Sequence, residues 1–342
     1  MPRPDDSSTR SRPTSADVAR LAGVSPTTVS LVLADKADRI SDVTKEKVFA
    51  AVAQLDYRLN RTAQGLRHGR SATIGLITDH IGVQPYSGPI VSAAHDVTWE
   101  NRQMILMVNT TLEDDRTRSA VEDLLARQVD GILFAAIGTR TIHVPAPARR
   151  ARVALVNAFA NDGDFPTFLP DERGGARALA RHLVQLGHRE IATLAGTREA
   201  WATSVRVQET QAVLRSAGLS LGNRLFYGDY TFTTGYSLAQ RVLELTPSPT
   251  ALICGNDQMA AGAYLALARH GLRVPQDMTV VGYDDEPVAT MLTPTLTTVR
   301  LPFYELGRRA TLALLGKEPL EPGEELIPTT LRIRESSAPP AS

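Results

Sequence analysis

From Thr73 onward the chain alternates short apolar runs with amphipathic stretches, and this alternation limits its fold more than any other feature. Strands are predicted at 73–78, 104–108, 131–135 and 153–157, then at 191–195, 225–227, 250–254 and 279–283. Helices are predicted between them, at 88–101, 116–127, 174–186, 203–217, 235–245 and 258–270. Apolar strands separated by helices form parallel sheets covered on both faces. Two runs of four strands, joined by a passage at 157–171, predict two similar doubly wound lobes with a ligand cleft where the strand C-termini face each other. Residues 296–333 add two extended stretches around a helix at 302–315.

Residues 14–57 follow another rule, with helical spacing throughout. Thr14-x-x-Asp17 is a helix start signal, followed by Val18, Ala19, Leu21 and Ala22 as one apolar face. Gly23 breaks that helix, and Ser25 caps a second one that begins at Pro26, where a missing N–H costs nothing. Val29, Val32 and Leu33 face inward, leaving Thr27, Thr28, Ser30 and Leu31 nearer the outside. A third helix starts at Ser41 or Asp42, with Val43, Val48, Val52 and Leu55 on its buried side. A helix, a glycine turn and a capped second helix of this length suit a major groove. Geometry then makes Thr27, Thr28 and Leu31 candidates for base edges, and Ser25, Ser30 and the helix N-terminus candidates for phosphates. A helical hairpin used only for packing is the competing reading.

Lysine and arginine balance the acids overall, 37 against 37, so net charge points to no polyanionic partner. Between Ser11 and Arg70, however, ten basic residues meet six acidic ones, and 58–70 holds four arginines and no acid. That stretch suits phosphates. Asn60 caps a short predicted helix at 61–68 containing Gly65, too short and too weak to form unless something holds it. The single Cys254 excludes a disulfide framework and fits a reducing cytoplasm. Residues 1–13 are polar, unlike a signal peptide, and no apolar run approaches bilayer length. The predicted division is a 1–13 tail, a 14–58 helix-turn-helix head, a 59–70 linker, a 71–335 body and a 336–342 tail.

The series D-V-A-R-L-A-G-V-S-x-x-T-V-S-x-V-L at 17–33 resembles the N-terminus of the lac repressor family of bacterial transcription regulators. The resemblance continues in order through 43–48, Leu55-Asp56-Tyr57, Asn60, Leu66-Arg67, Ile74-Gly75-Leu76, 129–132, 186–191, Asn256-Asp257 and 281–285. It implies an all-α helix-turn-helix head on an α/β body of two doubly wound parallel-sheet lobes, the body shared with periplasmic sugar receptors. It further implies a homodimer that binds pseudo-palindromic operator DNA, acts as a repressor, and answers to a small polar effector, a sugar or sugar derivative. The linker becomes a hinge helix whose Leu66 is an apolar wedge in the minor groove. Thr14, Pro26, Asn60 and Arg67 complete the DNA-facing set. Asn157, Arg206, Asn256 and Asp284 match positions that hydrogen-bond the effector, and Tyr230 matches an aromatic that stacks on it. That chemistry suits hydroxyl pairs and a ring's C–H face. Asp79 and Tyr86, after the first strand, are further effector candidates.

The chain departs from the family pattern in four places. Pro26 and Leu31 replace side chains that often hydrogen-bond bases, Gln208-Glu209 stands in place of a small residue and glycine, and Leu301-Pro302 in place of Gln-Pro. An enzyme is the alternative of another class. The seven histidines form no H-x-x-x-H pair, there is neither a phosphate-binding G-x-x-x-x-G-K-[ST] loop nor a G-x-S-x-G elbow, and Cys254 lies in an apolar strand. No catalysis, cofactor or metal is expected. A sugar-binding protein without DNA function would have no use for the 14–57 helices.

Overall fold

The computed structural model describes residues 13–33, 37, 39–58, 71–79, 87–113, 115–161 and 164–341. The chain separates into two compact units, Met1–Ser71 and Ala72–Ser342. The first contains α1 (Ser15–Ala22), α2 (Pro26–Leu33) and α3 (Asp42–Gln54). Thr14 and Asp17 form a reciprocal capping box on α1, and Gly23 ends the helix in the left-handed conformation at φ 67°. Ser25 Oγ accepts from the Thr28 amide at 3.0 Å, fixing the start of α2. Val18, Ala19, Ala22, Val29, Val32, Val48 and Ala51 make the shared core.

Two residues assigned to that core lie outside it. Leu21 is 46% exposed and Val43 62% exposed. At about 100° per residue, Leu21 sits at the edge of the Val18/Ala22 stripe and Val43 about 140° from Val48, so neither can reach the seam. Ala51 takes the place given to Val43.

The second unit holds two six-stranded sheets. The first lobe contains β1 (Thr73–Thr78), α4 (Ser87–Glu100), β2 (Met104–Asn109), α5 (Asp115–Ala126), β3 (Gly131–Ile142), β4 (Val153–Ala160) and β5 (Pro166–Pro170). The second contains α6 (Glu172–Gln185), β6 (Ile191–Ala195), α7 (Trp201–Ser216), β7 (Leu225–Tyr227), α8 (Phe232–Leu243), β8 (Ala251–Cys254), α9 (Asp257–Arg269), β9 (Thr279–Asp284), α10 (Pro287–Met291) and β10 (Thr297–Arg300). The chain then returns to the first lobe with α11 (Phe303–Leu314), which packs on α4 and β4, and with β11 (Gly323–Ile327), before β12 (Thr330–Arg332) closes the second sheet.

Strand order is β11-β5-β4-β3-β1-β2 in one sheet and β12-β10-β9-β8-β6-β7 in the other. Among the described strands every pairing is parallel except β10 with β12. Each lobe therefore reverses direction between its first strand and that strand's two neighbours, and the crevice beyond such a reversal is where open α/β sheets bind ligands.

The structure corrects the predicted elements in three places. β5 lies inside the presumed passage, a strand bracketed by Pro166 and Pro170 whose only pairing with β4 is Leu155↔Thr167 and Val156↔Phe168. The last segment supplies three strands rather than two. The stretch from 336, read as a tail, is packed through Ala338: Ser336 is fully buried, its Oγ donates to the Val280 carbonyl, and the Ala338 amide donates to Thr279 Oγ1 at 3.1 Å.

Candidate functional site

In the head, Ser25, Pro26, Thr27 and Leu31 are exposed on α2, while Thr28 and Ser30 are half-buried. The hydroxyls of Ser25 and Thr28 meet at 2.9 Å, so both are partly engaged in starting the helix. Thr14 likewise donates to Asp17 Oδ2 at 2.7 Å. The face left to a partner is the Pro26, Thr27, Leu31 side of α2. Asn60, Leu66 and Arg67, with the whole expected hinge, lie outside the described residues, as does Tyr86.

In the body, a cavity of about 560 Å³ opens beyond the strand C-termini of both sheets. Asn157 lines it from the first lobe, and Arg206, Tyr230, Asn256 and Asp284 line it from the second. Sequence order scatters these five residues over 128 positions of chain; the paired sheets bring them together. Three of them hold left-handed backbone despite carrying side chains: Asn157 at φ 55°, Tyr230 at 67° and Asp284 at 104°. Such conformations persist where surrounding structure over-determines them, and they gather at binding sites.

Arg206 organises the second-lobe wall. Its Nε and Nη2 each donate to Glu172 at 2.8 Å, and Nη1 donates to the Gly255 carbonyl at 2.8 Å. The guanidinium lies 3.6 Å above the Tyr283 ring, and Asp284 Oδ1 is 3.6 Å from Nη2. Burial acts to lower the Arg206 pKa, but Glu172 outweighs it and keeps the group cationic. The salt bridge to Glu172 thus fixes the guanidinium at the cavity wall.

Tyr230 hydrogen-bonds Thr203 through its hydroxyl at 2.5 Å, and its ring covers Gly196, where a methyl group would overlap it. Asn256 is chiefly a structural cap: its Oδ1 accepts from the Met259 amide at 2.9 Å and its Nδ2 donates to the Tyr230 carbonyl at 3.0 Å. Asn157 is also tied down, donating to the carbonyls of Ala136 and Ile137 at 3.0 and 3.1 Å and accepting from Thr139. Both amides hold the wall in shape.

Asp79 does not line the cavity. Its buried carboxylate pairs with Arg140 and accepts from the Ile137 amide at 3.0 Å, so it braces the irregular far half of β3 rather than facing a ligand. Sequence reasoning also missed Glu172, Asp229, Gln258, Glu286 and Phe303, all at the cavity. Glu172 and Gln258 lie in the first turns of α6 and α9, and a polar residue there reads as ordinary N-terminal chemistry until its long-range partner is known. Of the two body departures from the family pattern, Leu301 lines the cavity. Glu209 instead takes hydrogen bonds from Arg173 at 2.7 Å and Arg177 at 2.6 Å, lacing α7 to α6.

Burial pushes the Asp284 carboxyl up to about 6, with Arg206 opposing and Glu172 adding to the rise. Burial pushes Glu286 up to about 7. For a carboxyl raised by folding, the native state binds the proton more tightly, so its stability contribution is intact in acid and lost as pH rises through the folded value. The melting temperature of the body should fall by about 5 °C between pH 5 and pH 8 on account of these two groups. Calorimetry of Glu286→Gln should give a flatter profile; an identical slope would remove Glu286 as a source.

Residues 14–60 match the model for the bacterial regulatory proteins of the lacI family, and residues 180–337 match the periplasmic binding protein-like domain. The chain is 31% identical over 333 residues to the ribose operon repressor of Escherichia coli strain K12, covering 95% of this chain and 99% of the relative. It is 33% identical over 311 residues to the sucrose operon repressor of Escherichia coli, covering 88% of this chain and 93% of the relative. Among solved structures it is similar to the lac repressor dimer bound to operator and the anti-inducer ONPF, with a TM-score of 0.79, 28% identity, and coverage of 96% of this chain and 100% of that one.

Proposed function

The chain belongs to the lacI family of bacterial regulatory proteins, and from that premise we propose that α2 reads operator bases while the cavity between the lobes holds a sugar-like effector that controls the grip. The protein is a DNA-binding transcriptional regulator rather than an enzyme. It works as a homodimer on pseudo-palindromic DNA, as the lac repressor dimer does on its operator. The observation that carries the effector reading is the convergence of Asn157, Arg206, Tyr230, Asn256 and Asp284 on one cavity at two strand-order reversals. Among the described residues no helix is long and apolar enough to cross a membrane, in keeping with action on DNA in the cytoplasm.

Effector binding changes the relation of the lobes, the two bodies of the dimer shift, and the Arg-rich 59–70 segment gains or loses its ordered form on DNA. Reciprocity requires operator DNA to change effector affinity by the same factor. Leu66 is the wedge residue of that segment. Leu66→Ala is expected to weaken operator binding roughly 10- to 100-fold, the loss of a base-step wedge, while effector affinity of the free protein stays unchanged. Gel-shift titration with calorimetry checks this, and undiminished operator affinity would remove Leu66 from the mechanism.

A test of the whole reading is a thermal-shift screen of sugars on the full chain, with operator binding measured for every hit. A ligand that stabilises the protein and moves operator affinity supports it; ligands that bind and leave operator affinity untouched contradict it.

A further inference from the structure

Hydrogen-bonding capacity is divided unevenly between the two walls of the cavity. On the first-lobe side the described lining is Ile137, Gly138, Thr139 and Asn157, joined by Leu301 and Phe303 where the chain crosses back into α11. The polar groups there are already engaged. The Asn157 amide nitrogen donates to the carbonyls of Ala136 and Ile137, and the Thr139 hydroxyl donates to Asn157 Oδ1. The Ile137 amide donates to Asp79 at 3.0 Å, so the main chain of that residue is occupied on both sides. Among the described residues of this wall every side-chain donor is thus in use, and Ile137, Leu301 and Phe303 add carbon alone. The second lobe is the opposite case. Arg206 keeps N–H groups beyond the three it gives to Glu172 and Gly255, while Asp229, Gln258 and Asp284 bring oxygen lone pairs to the same side.

Resting on the effector reading above, we infer that the ligand is a deoxy sugar, held with its hydroxyl-bearing edge on the second lobe and its deoxygenated carbon against Leu301 and Phe303. A hydroxyl turned toward that carbon wall would give up water and gain no partner, whereas a methyl group gains by leaving water. The ordinary C–H face of a sugar ring does not account for the wall, because Tyr230 and Phe232 already offer that face an aromatic surface on the second lobe. Carbon on the opposite side calls for a second apolar feature, at the edge of the ring. Leu301 decides the matter locally. It stands in place of the glutamine of a Gln-Pro pair, so a side chain able to donate and accept gives way to one that does neither.

The test uses pairs of sugars that differ by a single oxygen at C6: L-rhamnose with L-mannose, L-fucose with L-galactose, D-fucose with D-galactose, and 6-deoxy-D-glucose with D-glucose. Calorimetry on the full chain measures each. In at least one pair the deoxy sugar should bind about tenfold tighter than its parent. Leu301→Gln should cancel or reverse that preference, and if it fails to fold, Leu301→Ala, which lets water reach the same spot, should narrow it. A panel in which no deoxy sugar outbinds its parent overturns the inference, as does a folded Leu301 variant that keeps the full preference. Operator titration alongside keeps the two readings apart. A parent hexose that binds best and shifts operator affinity leaves the regulator intact and removes only the deoxy assignment; a preferred deoxy sugar that leaves operator affinity unmoved keeps the assignment and counts against the regulator.

Discussion

A protein lacking residues 1–71 is expected to lose at least about 10³-fold in operator affinity, falling to the weak residual binding of any protein on DNA. The second unit, Ala72–Ser342, contains both sheets and every described cavity residue, so it should fold and bind effector as the full chain does. Filter binding on the selected operator, paired with calorimetry on the effector, separates the two activities. The expected result depends on the capping box at Thr14, the Ser25 cap and the small core around Val29 lying wholly in the first unit. Retained operator affinity in the truncated protein would move DNA recognition into the body and dismiss α2 as the reader.

The second large effect is expected at Arg206. Arg206→Ala removes the partner of Glu172, whose side chain is 2% exposed, and breaking one side of a buried pair costs about 3–5 kcal/mol. The variant should melt well below the parent and lose roughly 100-fold in effector affinity. Stability loss alone could blunt the response, so the informative comparison is Arg206→Met with Glu172→Gln. That pair discharges the uncompensated carboxylate and should regain most of the stability without regaining the effector response. If the double variant responds to effector normally, Arg206 is a brace for α7 and nothing more.

Local chemistry was legible in the chain and long-range pairing was not. The Thr14/Asp17 box, the Gly23 stop and the Ser25 cap depend on neighbours three or four residues away, and all three are present. The alternation from Thr73 gave the two lobes and their strand C-termini, because buried parallel strands carry their own apolar signal. β5 and the division of the last extended stretch into β11 and β12 escaped because the pairing partners are remote: β11 joins the sheet only by lying beside β5, which itself runs between two prolines. The reading of the cavity was uneven for the same reason. Arg206 and Asp284 stand at its wall, yet Glu172, which positions Arg206, lies 34 residues upstream at the start of α6, where its sequence context shows only a helix beginning. Asp79 was drawn into the site by its place after β1, but Arg140, at the far end of an unexpectedly long β3, claims it.

Linkage between the cavity and the head is tested most directly by one titration. Full-length protein is mixed with a fluorescent palindromic duplex obtained by selection from random sequence, and anisotropy is read across salt concentrations with and without the ligand that raises its melting temperature most. Affinity should fall steeply with salt and change at least about fivefold when the ligand is added, with the duplex changing ligand affinity by the same factor. A selected duplex whose affinity is the same with and without the bound ligand would contradict it.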